Sequence, residues 1–196
     1  MKHQKVINLF IALLLIISTT GCKQENPKEK DYKKFMEAME KMNYSTALDE
    51  INQVIKKYPK SIMSYSSKVS VLITMKNFQE AIIACDKMLV LNPNSAETLT
   101  LKGMLLVIGG EEPQAEICFK MSSELYKKLI CDSNYIKNKR SNALNLVGDL
   151  FLLGKNEEAE SVILENNLGS LPNEIPILEI LRTKTKLEIC KTFLGQ

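Results

Sequence analysis

The sequence predicts an all-α protein, a short stack of helical hairpins. Three observations carry this. Glycine and proline are scarce, at eight and six in 196 residues, while Leu, Ile, Lys, Glu, Met and Ala dominate. No β-branched or aromatic cluster alternates with period two, as a half-buried strand requires. Third, Ala47, Ala81 and Ala115 are spaced 34 residues apart. The pairs Tyr44/Phe78, Pro59/Pro93, Lys68/Lys102, Leu72/Leu106 and Leu91/Leu125 share that offset. A fixed period of this size marks a repeat in which one helical hairpin buries its apolar face against the next.

The chain opens on a segment of another kind. Lys2, His3 and Lys5 form a cationic start, Leu9–Ile17 an apolar run, and Ser18-Thr19-Thr20-Gly21-Cys22 a small-residue exit. The run falls short of the roughly 20 apolar residues that span a bilayer as a helix, so residues 1–21 are expected to be a cleaved signal peptide. Gly21-Cys22 at its end resembles the lipobox of bacterial lipoproteins, with Thr19 where that family usually has leucine. The resemblance implies that Cys22 becomes the lipidated (palmitate-type) first residue of the mature chain. It places the protein in the bacterial cell envelope, anchored to a membrane at the periplasmic or outer-membrane face. Two or three acyl chains, at about 0.8 kcal/mol per buried methylene, make such attachment effectively permanent. Residues 22–30, polar with one proline, read as a solvated tether.

Three hairpin repeats are expected over 31–130, at about 31–61, 62–95 and 96–130. The second contains Tyr65, Leu72, Phe78, Ala81, Cys85, Met88, Leu91 and Pro93. The third adds Leu99, Gly103, Leu106, Ala115 and Phe119, and the degenerate first keeps Tyr44, Ala47, Ile51, Val54 and Pro59. Ser61 and Ser95 are placed as N-caps of first helices, and Asn77-Phe78-Gln79-Glu80 as a capping-box-like start of a second helix. Gly109-Gly110 should end one helix before Pro113 begins the next. This 34-residue pattern, with alanine mid-repeat and a closing proline, resembles the tetratricopeptide repeat. The fold implied is a short tetratricopeptide-like α–α superhelix with a C-terminal capping helix, behind a lipoprotein signal.

Beyond Leu125 the register slips. Ala159 follows Ala115 by 44 residues, so about ten are inserted within Lys127–Arg140, where Asp132-Ser133-Asn134 reads as a turn. Residues 131–196 are therefore expected to hold this insertion, a divergent fourth pair and a last helix over Ile175–Phe193. Its Ile177, Leu178, Ile180, Leu181 and Leu187 would close the stack.

Composition narrows the function. Without Lys2 and Lys5, 24 basic side chains face 23 acidic ones, so no global basic field exists to hold nucleic acid. The single histidine, His3, leaves with the signal. Its loss argues against Ser-His and Cys-His nucleophiles and most zinc sites. Glycine-rich phosphate loops and Gly-x-Ser-x-Gly are absent. No cofactor, metal, small-molecule substrate or enzymatic activity is expected.

Cys85 and Cys118 fall at core positions, whereas geometry decides whether Cys131 and Cys190 pair. Lys127, Lys128, Lys137, Lys139 and Arg140 cluster around the insertion, either as a contact for anionic headgroups or an acidic partner or as a solvated loop. Met36, Met39 and Met42 follow helical spacing and suit either recognition or packing.

In the tetratricopeptide family, first helices line a groove that holds peptides or helices. That resemblance implies a groove of Met63, Ser66, Ser70, Ile73 and Thr74, continuing through Glu97, Thr100, Met104, Val107 and Ile108. It lacks the Lys/Asn clamp some members use for C-terminal carboxylates. The expected role is a scaffold or adaptor binding an extended or helical segment of another envelope protein. The alternative is an immunity or sequestering protein that blocks an exported toxin.

Overall fold

A computed structural model describes residues 27–132 and 137–196. The signal peptide, Cys22, the first part of the tether, and Ser133 and Asn134 of the expected turn lie outside the described residues. The chain is all-α: among those residues are ten helices and no strand, and within each unit the paired helices pack as consecutive neighbours in a helical-repeat arrangement. It divides into two compact units that meet in sequence at Pro93/Asn94.

The N-terminal unit holds two hairpins, α1 (Glu29–Glu40) with α2 (Tyr44–Lys57), and α3 (Ile62–Thr74) with α4 (Phe78–Leu91). α1 begins two residues inside the expected tether. Asp31 explains this, because its carboxylate accepts from the Lys28 backbone N–H at 2.9 Å and satisfies an otherwise orphaned donor at the helix start. Ser61 and Asn77 cap as expected, accepting from the amides of Ser64 and Glu80, and Asn43 does the same from Thr46 without having been expected.

Both hairpin turns share one geometry. Met42 and Lys76 adopt left-handed φ values of 55° and 58°. The next amides, Asn43 and Asn77, donate back to the carbonyls of Ala38 and Leu72. This closing motif satisfies the last helical carbonyls. Phe35, Ala38, Ala47, Ile51, Val54 and Val71 form a buried cluster bordered by Tyr32, Met39 and Tyr44.

The C-terminal unit repeats the device. α5 (Ala96–Ile108), capped by Ser95, turns through Gly110 at φ 79° into α6 (Glu112–Cys131), and the Glu111 amide reaches the Leu106 carbonyl. α7 (Lys139–Leu152) and α8 (Asn156–Glu165) form the fourth pair. Their turn uses Gly154 at φ 72° and a Lys155-to-Leu150 bond. Met42, Lys76 and Gly110 thus recur at the 34-residue offset, and Gly154 after the insertion.

Part of that insertion is helix. α6 has 20 residues where α2 and α4 have 14. Gly103 makes the close approach expected of a small residue: a Cβ built there would lie 2.5 Å from Phe119 Cε1 on α6.

The last expected helix is two. α9 (Ile175–Thr183) ends before an extended Lys184, and α10 (Lys186–Phe193) starts anew from Thr185. The cause is a capping box. Thr185 Oγ1 accepts from the Glu188 amide while the Glu188 carboxylate accepts from the Thr185 amide. The break changes which side chains are inside: Leu187 is exposed, and Ile189, Cys190 and Leu194 are buried.

Candidate functional site

The ten expected groove residues fall into two sets with different surroundings. On α3, Met63 is 52% exposed, Thr74 is exposed, and Ser66, Ser70 and Ile73 are half-buried. Helical spacing places these positions on one side of α3. Ser70 Oγ donates to the Ser66 carbonyl and Thr74 Oγ1 to the Ser70 carbonyl, so both hydroxyls are satisfied within their own helix. The rest of the set is Met63, Ile73 and the hydroxyl-bearing Ser66.

The neighbouring first helix contributes to the same unit. The Tyr32 hydroxyl on α1 hydrogen-bonds Ser64 Oγ on α3 at 2.9 Å, and Met36, one turn after Tyr32, is 52% exposed. Met42 and Met75, near the ends of these helices, are exposed as well. Met39 instead packs against the core cluster.

On α5 the corresponding positions turn inward. Met104 and Val107 are 6% and 4% exposed, Glu97 and Ile108 are half-buried, and Thr100 is engaged in a buried polar cluster. The expectation of an open groove along α5 is therefore corrected for Met104 and Val107. In the C-terminal unit α10 packs on α5 and α7, the first helices of the third and fourth pairs.

The cluster centres on Asp149 of α7, which is fully buried. Thr100 Oγ1 donates to its carboxylate at 2.8 Å and Ser122 Oγ of α6 at 2.5 Å. Burial pushes the Asp149 carboxyl up to about 8, and the charge of Glu97 adds to the effect, while the two hydroxyls oppose it. Tyr126 lies buried beside the group, its phenol raised first by burial and then by Glu97 and Asp149. This cluster was missed in the sequence. Its signal was a carboxylate among the inward-facing Ala143, Leu146, Val147 and Leu150 of α7.

The basic cluster is not assembled as one patch. Lys127 lies between Glu158 at 2.9 Å and Glu124 at 3.1 Å. Arg140 is bidentate to the buried Glu174 and also donates to the carbonyls of Asn166 and Asn167 and to Ser170 Oγ. Two of the five cations thus act as structural ties, while Lys128, Lys137 and Lys139 are exposed.

Cys85, Cys118, Cys131 and Cys190 all remain thiols. The first two are buried as expected. Cys131 is exposed and Cys190 buried, and the two are not bonded to each other.

A depression of about 480 Å³, lined by residues including Leu168, Ile175, Leu178 and Arg182, borders α9. It shares no residue with the Asp149 cluster. Among the described residues no helix is long and apolar enough to cross a membrane, and no group of His, Cys, Asp or Glu is arranged to hold a metal ion. The sequence matches no protein-family model, and no curated protein matches it.

Proposed function

We propose that the protein is a lipid-anchored, tetratricopeptide-like binding module of the bacterial envelope. Cys22 is the lipid attachment site, and the first-helix face of the N-terminal pairs holds a peptide or helix of another envelope protein. The role is that of a scaffold or adaptor without catalytic chemistry.

The observation carrying this reading is the open face of α3. Met63 is half-exposed, the Ser70 and Thr74 hydroxyls on the same side are bonded within the helix, and Met36 is exposed on the adjoining first helix. Methionine side chains adapt their shape to a partner, and a surface whose hydroxyls are internally bonded gains affinity chiefly from apolar contact. The apolar run ending in Gly21-Cys22 supports the anchor.

The test uses a photoreactive side chain in place of Ser66 in the native host. A discrete crosslinked envelope protein is expected, and Met63→Glu should abolish it. Crosslinking unaffected by Met63→Glu would remove the α3 face from the reading. Cys22→Ala should leave the precursor unprocessed; normal maturation and membrane retention of that variant would remove the anchor.

A further inference from the structure

The positions equivalent to Met63, Ser66, Ser70, Ile73 and Thr74 on α3 are Glu97, Thr100, Met104, Val107 and Ile108 on α5, 34 residues later. One face is open, while Met104 and Val107 on the other are buried. α10 packs on α5 and also on α7. Its start lies near the α5–α6 turn, at the end of α5 that carries Met104 and Val107, where Lys186 pairs with Glu112 at 2.9 Å.

α10 has the character of a docked ligand. It is amphipathic, with Ile189 and Cys190 buried, as is Leu194 at its C-cap, and Leu187, Glu188 and Lys191 exposed. Eight residues are too few to hold a helix alone in water, so its helicity depends on the surface beneath it. The extended Lys184 links it to α9, and the Lys186–Glu112 pair is more than a third exposed at both ends, where such pairs contribute little.

We propose that the α5–α7 face is a second helix-binding surface, closed by the chain's own α10. Its external ligand is an amphipathic helix repeating the spacing of Ile189, Cys190 and Leu194. A partner helix gains this face only by displacing α10, so the surface is occupied until a competitor of the same pattern arrives. The inference rests on the reading of the protein as a binding module but concerns a different face. It predicts recognition by a helix, not by an extended strand.

Cys190 reports the displacement. In the docked helix it is buried, and burial pushes its thiol up to about 12, so it is unreactive until α10 leaves. The experiment is thiol alkylation of the full chain, resolved by site with mass spectrometry. A synthetic peptide of residues 185–196 carrying Cys190→Ser serves as competitor. Under native conditions Cys190 should react about tenfold or more faster than the core thiols Cys85 and Cys118, reflecting local opening. Excess peptide should raise the Cys190 rate severalfold more by occupying the vacated face, and the same peptide with Ile189→Asp should not.

Equal rates at Cys85, Cys118 and Cys190 would make α10 a fixed part of the core and overturn the proposal. A fast Cys190 that ignores the peptide would mean simple fraying, and would overturn it equally. Alkylation is read on the isolated chain, and Met63→Glu crosslinking on the N-terminal face, so either result can fail alone.

Discussion

Thr100 Oγ1 lies 2.8 and 3.1 Å from the two carboxylate oxygens of Asp149, joining α5 to α7 across 49 residues of chain. The acid it meets is held largely neutral by burial, at about 8 against an ordinary 3.8. The folded chain therefore retains a proton that the unfolded chain releases near pH 4. Asp149's contribution to stability is complete below that point and is lost as pH rises through 8.

The other groups whose pKa is displaced respond outside that window. Asp31 is lowered to about 2 by its hydrogen bond to Lys57, and Glu174 is lowered by Arg140, so both respond on the acid side. Tyr126 and Cys190 respond on the alkaline side. Stability should fall by about 2 kcal/mol between pH 6 and 8, at roughly 1.4 kcal/mol per unit of pH at most. Urea unfolding across this range should show the slope, and Asp149→Asn should flatten it. A wild-type profile already flat would mean that Asp149 is ionised in the folded chain.

Gly103→Ala should destabilise the third pair. The new Cβ falls 2.5 to 2.9 Å from three atoms of the Phe119 ring, and Phe119 is itself fully buried. Overpacking of this kind costs about 1–3 kcal/mol, against roughly 1 kcal/mol gained in helix propensity. A net loss of about 1 kcal/mol is expected in chemical denaturation. Shortening the ring in Gly103→Ala/Phe119→Leu should recover part of it, and no recovery would place the cost elsewhere.

Glu174→Gln tests the tie that organises the segment between α8 and α9. The buried carboxylate accepts from Arg140 and from the amides of Gly169 and Leu171, and Arg140 reaches on to the carbonyls of Asn166 and Asn167. An amide side chain can keep only part of this set. Hydrogen exchange at Gly169 and Leu171 should accelerate on the order of tenfold, with α1–α4 unaffected. In the wild type the protection of these amides, relative to the intrinsic exchange rate at each pH, should fall as pH drops through the lowered carboxyl range, since the contribution of a depressed acid is lost on protonation. Unchanged protection in the variant would show that the segment holds without the carboxylate.

The hairpins were legible because their determinants are local. Ser61, Ser95 and Asn77 cap within three residues, and the left-handed turn position recurs from Met42 to Lys76 to Gly110. Gly103 was legible as a small residue from its register. Thr185-x-x-Glu188 was equally local, yet the apolar spacing through Leu187 outweighed it in a reading by periodicity alone. The Arg140–Glu174 pair and the burial of Met104 were not legible in this way. They depend on elements that are distant in sequence packing together, and a repeat register reports only what each helix shares with its counterpart. The α3 and α5 positions share a register, and α5 has α10 packed on it within its own unit.

That difference predicts opposite outcomes for one substitution at two equivalent faces. Met63→Glu places a carboxylate on a side chain that is already half-exposed, where changes stay within about 0.5 kcal/mol. Met104→Glu places it where 6% of the side chain is exposed, leaving the charge without solvent and at a cost on the order of 3 kcal/mol or more. Thermal unfolding should therefore leave Met63→Glu near wild type and shift Met104→Glu strongly downward. Met104→Leu, similar in volume, should restore the midpoint, since volume-conserving apolar exchanges cost less than about 1.5 kcal/mol. If Met104→Glu instead unfolded like wild type, residue 104 would be accessible in solution and the α5 face open. Loss of partner binding in Met63→Glu can then be assigned to the surface, because the fold around it is intact.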